Sequence, residues 1–533
     1  MKNKLTKSQK RILSIYIKLS KKNGVYPSRS ELLREGVSRD QVRSAFGSLS
    51  QLKNVAFTTY PDVFKGIIDE TLVSDDAIQN LKQEVRGYNK FVITTAIGGG
   101  KVHSKFHSSL KKYCELNNAK LLILMAEDPA SIRKFKIPNG LEEEQFVFSD
   151  IKLNSNIFIS TIKLSAKQID PMTGLSRLGK REGSFIYASP KQRLVFVPIG
   201  STLPHAIMTT GAITLPDYQT EHYMSERTAW IAKQDHVMGA VIVEVEDEEI
   251  YHFRQIQAEK NGSFIDLGKQ YTENGVIDVR PSAFILGDWH SGETDPTAKT
   301  SWKEVVDAVK PRILVLHDAF NGKSINHHEK GRKIKRAKFY RDNLLSLKDE
   351  LKKFAEDLNE LSTWADQVVI VKSNHDEFLE EILEDGRYIN DPINFEICTK
   401  LALAMLNGSS PLRIGAEISG LSATNIVWLK RDDDFEIARI QLGAHGDKGP
   451  NGARGSIKNL ESSYGNCVIG HSHSPGILRG CWQVGTSSLF NLGYNVGPSS
   501  WLHTSCLLYH TGARQLIHSI EGRWRSKNGN KAS

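Results

Sequence analysis

The sequence predicts an α/β protein, and three observations carry that expectation. Apolar runs of strand length recur along the chain, stretches of helical period separate several of them, and the later runs end in acidic or imidazole side chains. Parallel sheets built this way present functional side chains at the carboxyl ends of their strands. At 533 residues, with 39% hydrophobic and 25% charged, the chain can bury several cores, which predicts two to four domains. Disorder, collagen-like repeats and small disulfide scaffolds are excluded. The five cysteines, Cys114, Cys398, Cys467, Cys481 and Cys506, form no Cys-x-x-Cys pair, so ordinary buried thiols in a reducing compartment are expected. No window approaches the roughly 20 apolar residues of a membrane span, and Lys18, Lys21 and Lys22 interrupt the apolar stretch near the N-terminus. The expectation is a soluble, cytoplasmic chain with no membrane partner.

Basic charge is concentrated at the start. Residues 1–60 carry a net of +10 against +9 for the whole chain, so the remaining 473 sum to −1. The block also has helical periodicity, through Ile12, Leu13, Tyr16, Ile17 and Leu19, with Gly24 and Pro27 as stops. Ser28 with Glu31 predicts a capping box for a second helix that Gly36 ends, and Ser38 caps a third running through Val42, Ala45, Phe46 and Leu49. Two short helices joined by a tight glycine turn have helix-turn-helix spacing, and the block resembles a winged-helix module. A folded basic face predicts DNA as partner, with Arg39, Arg43 and Lys53 as phosphate contacts. The alternative is a three-helix bundle that serves oligomerisation.

Residues 61–89 read as a polar connector with one helix. Phe91–Ala96 and Leu121–Met125 then read as buried parallel strands flanking a helix through Leu110 and Tyr113. The turn Gly98-Gly99-Gly100-Lys101 lacks the Ser or Thr of a phosphate-binding loop, because Val102 follows the lysine. Further strands are expected at Phe185–Ala188, Arg193–Pro198 and Ala240–Val245 in an α/β region, 90–280, to which no chemistry is assigned.

From Ser282 onward five blocks carry chemistry. Ala283–Leu286 is an apolar strand leading to Asp288-x-His290, where the two-residue period of a strand predicts that both side chains point one way. Ile313–Leu316 leads to Asp318 and Asn321, and a long charged helix over Lys333–Trp364 separates that strand from the next. Gln367–Val371 leads to Asn374-His375-Asp376, Ile440–Leu442 to His445-Gly446-Asp447, and Cys467–Ile469 to His471-x-His473, whose imidazoles are expected on one side. Any one imidazole after a strand is commonly a hydrogen-bonded core residue, but five successive blocks of ligand-type residues are a pattern. Asp432-Asp433-Asp434 reads as a solvated turn, and the basic stretch after Arg523 as a disordered tail.

The ordered blocks resemble the signature of the calcineurin-like metallophosphoesterase superfamily over roughly residues 282–480, with His317 and Ser373 in place of two glycines. The resemblance implies a sandwich of mixed sheets flanked by helices and a catalytic domain over 281–515, followed by a tail from 516 to 533. It implies two divalent ions, manganese first and magnesium, iron or zinc as alternatives. Asp288, His290, Asp318 and His473 would hold one, and Asp318, Asn374, His445 and His471 the other, at a separation of about 3.5 to 4 Å. His375 would assist the leaving oxygen or the charge on phosphorus, with Asp376 orienting its ring. The Asn-His-Asp form is similar to the nuclease branch that includes the nuclease subunit of the SbcCD complex. The layout also resembles host-genome-degrading deoxyribonucleases of T-odd coliphages, which implies a homo-oligomer acting on double-stranded DNA. Lys448, by its position just after His445, is a further candidate phosphate contact. The rival expectations are a small-molecule phosphodiesterase or nucleotidase and a DNA-binding regulator.

Overall fold

The computed structural model describes residues 5–23, 26–27, 29–64, 75–126, 137–162, 164–175, 177–179, 183–200, 203–216, 218, 226–327, 331–493 and 495–527. The basic block has its own apolar core, in which Ile12, Leu13, Tyr16, Leu32, Val42, Phe46 and Leu52 pack together. Its helices are Lys7–Asn23, Arg29–Arg34, Arg39–Phe46 and Leu49–Thr59. Gly36, at φ +75°, turns the chain between the second and third, and Ser38 caps the third in a reciprocal box with Gln41. The run expected to reach Leu49 is divided: Gly47, at φ +77°, ends it and Ser48 caps a fourth helix. No strand follows among the described residues 5–64, so the helix-turn-helix carries no wing there. The expected stop at Gly24 and cap at Ser28 lie outside the described residues.

The expected parallel pair is present as Lys90–Ile97 and Lys120–Ala126, and it belongs to a five-stranded sheet. Strands Ile157–Ser160, Ser184–Tyr187, Arg193–Val197 and His205–Thr209 are built differently from an isolated middle layer. They share one ten-stranded sheet with Ile440–Gln441, Cys467–Ile469, Gly476–Leu478 and Cys481–Gln483, joined where Gly476 pairs with Val195. A further six-stranded sheet holds the parallel strands Ala283–Ile285, Ile313–Leu316, Gln367–Ile370 and Ile426–Trp428, with Thr504–Leu508 and Arg514–His518 antiparallel at one side.

Side-chain alternation explains the layers. Phe284, Leu314, Leu316, Val368 and Ile370 pack against Trp302 and Val305 of the helix Pro296–Val309 and against Leu351, Phe354 and Leu358 of the helix Leu347–Leu361. Their neighbours Ile285, Val315 and Val369 pack the other way, into one core with Leu442, Val468, Trp482 and Val484 of the ten-stranded sheet. The result is a mixed α/β fold of sheets flanked by helices. Among the described residues no helix is long and apolar enough to cross a membrane.

Two expectations are corrected. The long charged helix over 333–364 is two helices, Lys333–Arg341 and Leu347–Leu361, separated by a turn in which Asn343 takes φ +56° and Ser346 caps the second. The C-terminal tail does not begin at 516. Strand Arg514–His518 crosses that point, Trp524 is buried, and the Ser526 amide donates to Glu244. A buried indole anchors this end more strongly than its exposed cations loosen it; residues 528–533 lie outside the description.

The fold buries imidazoles that must stay neutral. His518 lies between Phe196 and Phe253, and burial pushes it from 6.5 down to about 3. Between those two values the unfolded chain holds a proton that the folded chain excludes, so stability falls as pH falls through that window. Going from pH 7 to pH 5 is expected to remove about 2 kcal/mol through this group alone. Urea unfolding at the two pH values checks it: His518→Leu should flatten the difference by about that amount, and an unchanged difference would show that other groups set the acid sensitivity.

Candidate metal centre

The strands stop before the residues they deliver. Ala283–Ile285 ends three residues short of Asp288, but its hydrogen bonding to the next strand continues beyond it. Leu286 N donates to Val315 O at 2.9 Å, Trp289 N to His317 O at 3.0 Å and His290 N to Asp318 O at 2.8 Å. This extension sets His290 beside Asp318. Strand alternation, the expected cause for Asp288 and His290, does not place them, because His290 sits at φ +49°. Asp318 at +42°, His471 at +72° and His473 at +60° are left-handed as well. Non-glycine residues rarely adopt this conformation, and its concentration here is the mark of a site held by the surrounding fold. The His471-x-His473 pair accordingly parts: the two rings join different groups instead of one side of a strand.

Two groups of donors result. Asp288, His290, Asp318 and His473 bring ligand atoms within 4.8 Å of one another, and Asp318, His445 and His471 do the same. Asp318 belongs to both. In the first group, His473 Nε2 lies 3.1 Å from Asp288 Oδ2 and 3.0 Å from His290 Nε2, and His290 Nε2 lies 3.8 Å from Asp318 Oδ2. In the second, His445 Nε2 lies 3.2 Å from Asp318 Oδ2. Asp288 Oδ1, Asp318 Oδ1 and Asn374 Oδ1 are buried without a hydrogen-bond partner among the described residues. Orphaned carboxylate oxygens beside converging imidazoles are costly unless a cation meets them, so the Asp and His residues fit divalent ions with mixed nitrogen and oxygen ligands.

The charges agree with that reading. Burial raises the Asp288 and Asp318 carboxyls, but the imidazoles around them outweigh it and hold both below the usual carboxylate range. Burial lowers His445, yet the charge and hydrogen bond of Asp318 lift it to about 9. His290, where burial dominates, falls to about 3 and stays neutral, as a ligand must. A cation held by the second group would need His445 in its neutral form, so its binding would release the proton that Asp318 favours there.

His375 stands apart from both groups. Its Nδ1 lies 2.5 Å from the Asn321 carbonyl and its ring 4.8 Å from that of His290. A carbonyl only accepts, so Nδ1 carries a proton and Nε2 is the nitrogen left for chemistry. Asp376 was expected to orient this ring; its Oδ2 instead accepts the Ser373 amide at 3.0 Å while the Ser373 hydroxyl accepts the Asp376 amide, capping the helix Asn374–Glu384. The carboxyl, pushed up to about 6 by burial, serves the helix end. This also explains Ser373 in place of glycine: its φ of −121° needs no glycine and its hydroxyl supplies the cap. His317 is fully buried, with Nδ1 3.4 Å from that of His445, and packs over Gly470. A Cβ on Gly470 would stand 2.3 Å from Asp288 Oδ1, so the bare backbone there is what admits the carboxylate.

Other residues singled out in the sequence lie elsewhere. Arg39 and Arg43 are exposed on the third helix of the N-terminal module, and Lys53 sits 5.1 Å from the Tyr26 ring centroid. Lys448 is exposed near His445, but its Nζ lies 3.4 Å from Glu377, which reduces the charge it offers a phosphate. Asp433 Oδ2 accepts the Lys430 amide, and the acidic triplet is a solvated turn. His317 and Asn321 flank Asp318 in the sequence, but only the structure shows the His317 ring against His445 and the Asn321 carbonyl against His375; Trp501, whose ring lies 4.2 Å from that of His473, carries no such mark in the sequence. No periodicity distinguishes them from ordinary core and loop residues.

A mixed α/β chain whose sheets bring two overlapping, largely buried groups of Asp and His to one place defines a class of protein that could hold a metal ion there. The chain is similar to Protein A1 of Escherichia phage T5, 26% identical over 475 residues that cover 83% of this chain and 84% of that protein. No family profile matches the chain, and no solved structure matches it.

Proposed function

We propose that this protein is a metal-dependent phage deoxyribonuclease of the calcineurin-like metallophosphoesterase type, acting on host DNA during infection. The observation that carries the reading is the sharing of Asp318 between two groups of ligand atoms. One carboxylate with two oxygens can neutralise two neighbouring cations, the arrangement that suits a phosphodiester. When bound, such ions activate water near neutral pH and offset the charge that develops on the phosphate. Asp288, His290 and His473 would hold one ion and Asn374, His445 and His471 the other, with Asp318 common to both. His375, fixed through Nδ1–H by the Asn321 carbonyl, would turn Nε2 toward the reacting phosphate; in its doubly protonated form it would give the Nε2 proton to the leaving oxygen and return to the neutral ring with its proton on Nδ1. Trp501 and His317 pack against ligand rings and hold them in place.

DNA as substrate is supported by the basic helical module and by the likeness to a phage protein. The test is incubation of linear and circular DNA with Mn2+, Mg2+ or chelator. Digestion with Mn2+ that stops in chelator is expected. Hydrolysis of bis(p-nitrophenyl) phosphate with intact DNA would point to the small-molecule phosphodiesterase instead, and digestion that persists in chelator would remove the metal mechanism.

A further inference from the structure

We infer that the helix Lys333–Arg341 binds the sugar-phosphate backbone of the DNA strand entering the metal centre, an inference that rests on the nuclease reading above. Its sequence, Lys-Ile-Lys-Arg-Ala-Lys-Phe-Tyr-Arg, holds five cations and no acidic residue, and Arg332 precedes it. None of its residues is buried, and Ile334 and Tyr340 stand 75% and 67% exposed. Helices in folded proteins are held mainly by an apolar face against a core, and this one has none. It is also charged against itself: Lys333 and Arg336, Lys335 and Lys338, and Lys338 and Arg341 are like charges three residues apart, and cations in its first turn oppose the helix dipole. The side chains of Lys333, Arg336 and Lys338 make no ion pair or hydrogen bond among the described residues. An anionic partner outside the fold would relieve this.

Position selects that partner. Phe339 pins the helix beside the site, with Lys323 Nζ 5.0 Å and Lys335 Nζ 5.4 Å from its ring centroid. One small cavity is lined by Lys335 and Phe339 from the helix together with Asn321, Lys323 and His375. The helix thus adjoins the imidazole assigned to the reacting phosphate. Nearby cations are already matched: Lys323 pairs with Glu293, and Arg431 with Glu377 and Asp447. Without the six cations from Arg332 to Arg341, residues 61–533 would sum to −7, so this helix supplies attraction for a polyanion that the rest of that stretch, with its net negative charge, does not. Nine residues of helix span about 13 Å, the rise of about four nucleotides at roughly 3.4 Å per step. A continuous line of phosphates leading to the metal centre is what the charge spacing fits.

The test uses the full chain with Mn2+ and compares wild type with Lys333→Gln/Arg336→Gln/Lys338→Gln on linear DNA and on bis(p-nitrophenyl) phosphate, across a salt series. Loss of three phosphate contacts is expected to raise KM for DNA at least about tenfold near physiological salt and to lower the slope of log affinity against log salt by about 2.7. The loss on bis(p-nitrophenyl) phosphate should be at least about tenfold smaller than on DNA. Lys338→Gln alone should lower the slope by about 0.9, and Lys333→Arg/Lys338→Arg should keep the wild-type slope. A wild type that digests DNA and a triple variant with the same KM and slope overturn the role of the helix and leave the nuclease reading standing. Equal losses on both substrates also overturn it. A wild type that hydrolyses the small diester and never cuts DNA overturns the nuclease reading itself, and this inference with it.

Discussion

Replacing Asp318 by asparagine is expected to abolish the proposed phosphodiester hydrolysis, with a loss of at least about 10³-fold, equivalent to roughly 4 kcal/mol of barrier. The size follows from geometry. Asp318 is the one residue common to both donor groups, so a single substitution removes the carboxylate from both. The same change is expected to destabilise the metal-free fold, because the folded state favours the charged Asp318 carboxylate and its loss leaves the buried His445 without its acidic partner. Metal response separates these effects. Wild type at a hundredfold excess of ion over its Kd should gain about 2.7 kcal/mol and a matching rise in Tm, whereas Asp318→Asn should show almost none. A variant that keeps the Mn2+-dependent rise in Tm and its activity would mean that no carboxylate is shared.

His375→Ala is expected to lose about 10² to 10⁴-fold in kcat, the usual worth of a positioned acid or base, while keeping the metal-dependent rise in Tm. The two readouts part because His375 lies outside both donor groups and is held by the Asn321 carbonyl. Asp376→Asn provides the contrast. If Asp376 acted through the ring, its loss would approach that of His375→Ala. The cap geometry predicts instead a stability change of about 1 kcal/mol with most activity retained. A fully active His375→Ala would remove the proposed acid, and an inactive but stable Asp376→Asn would restore the carboxylate to that role.

The parts of the site that sequence makes legible are those that local chemistry dictates. Apolar runs set the strands from Ala283 to Ile469, and polar residues that interrupt them mark the strand ends, so Asp288, Asp318, Asn374, His445 and His471 all lie just beyond strands. The caps at Ser38 and the parallel pairing of Lys90–Ile97 with Lys120–Ala126 were equally local. The break between Arg341 and Leu347 was not legible, because neither glycine nor proline marks it and the stretch is charged on both sides. Nor was the role of Asp376, since the same carboxylate can cap a helix or hold a ring and only the position of Ser373 decides between them.

By itself the sequence determined which residue types stand at the ends of which strands, and it concentrated basic charge in the first sixty residues. Tertiary structure alone decided that strands near residues 195 and 476 share a sheet, that four site residues take left-handed backbone, and that His471 and His473 serve different groups. The physical reason is range. Side-chain period and caps act over a few residues and leave a local trace. Pairing across hundreds of residues, and backbone strain held by the packing around it, depend on the summed energy of the whole core, which no single stretch of sequence records.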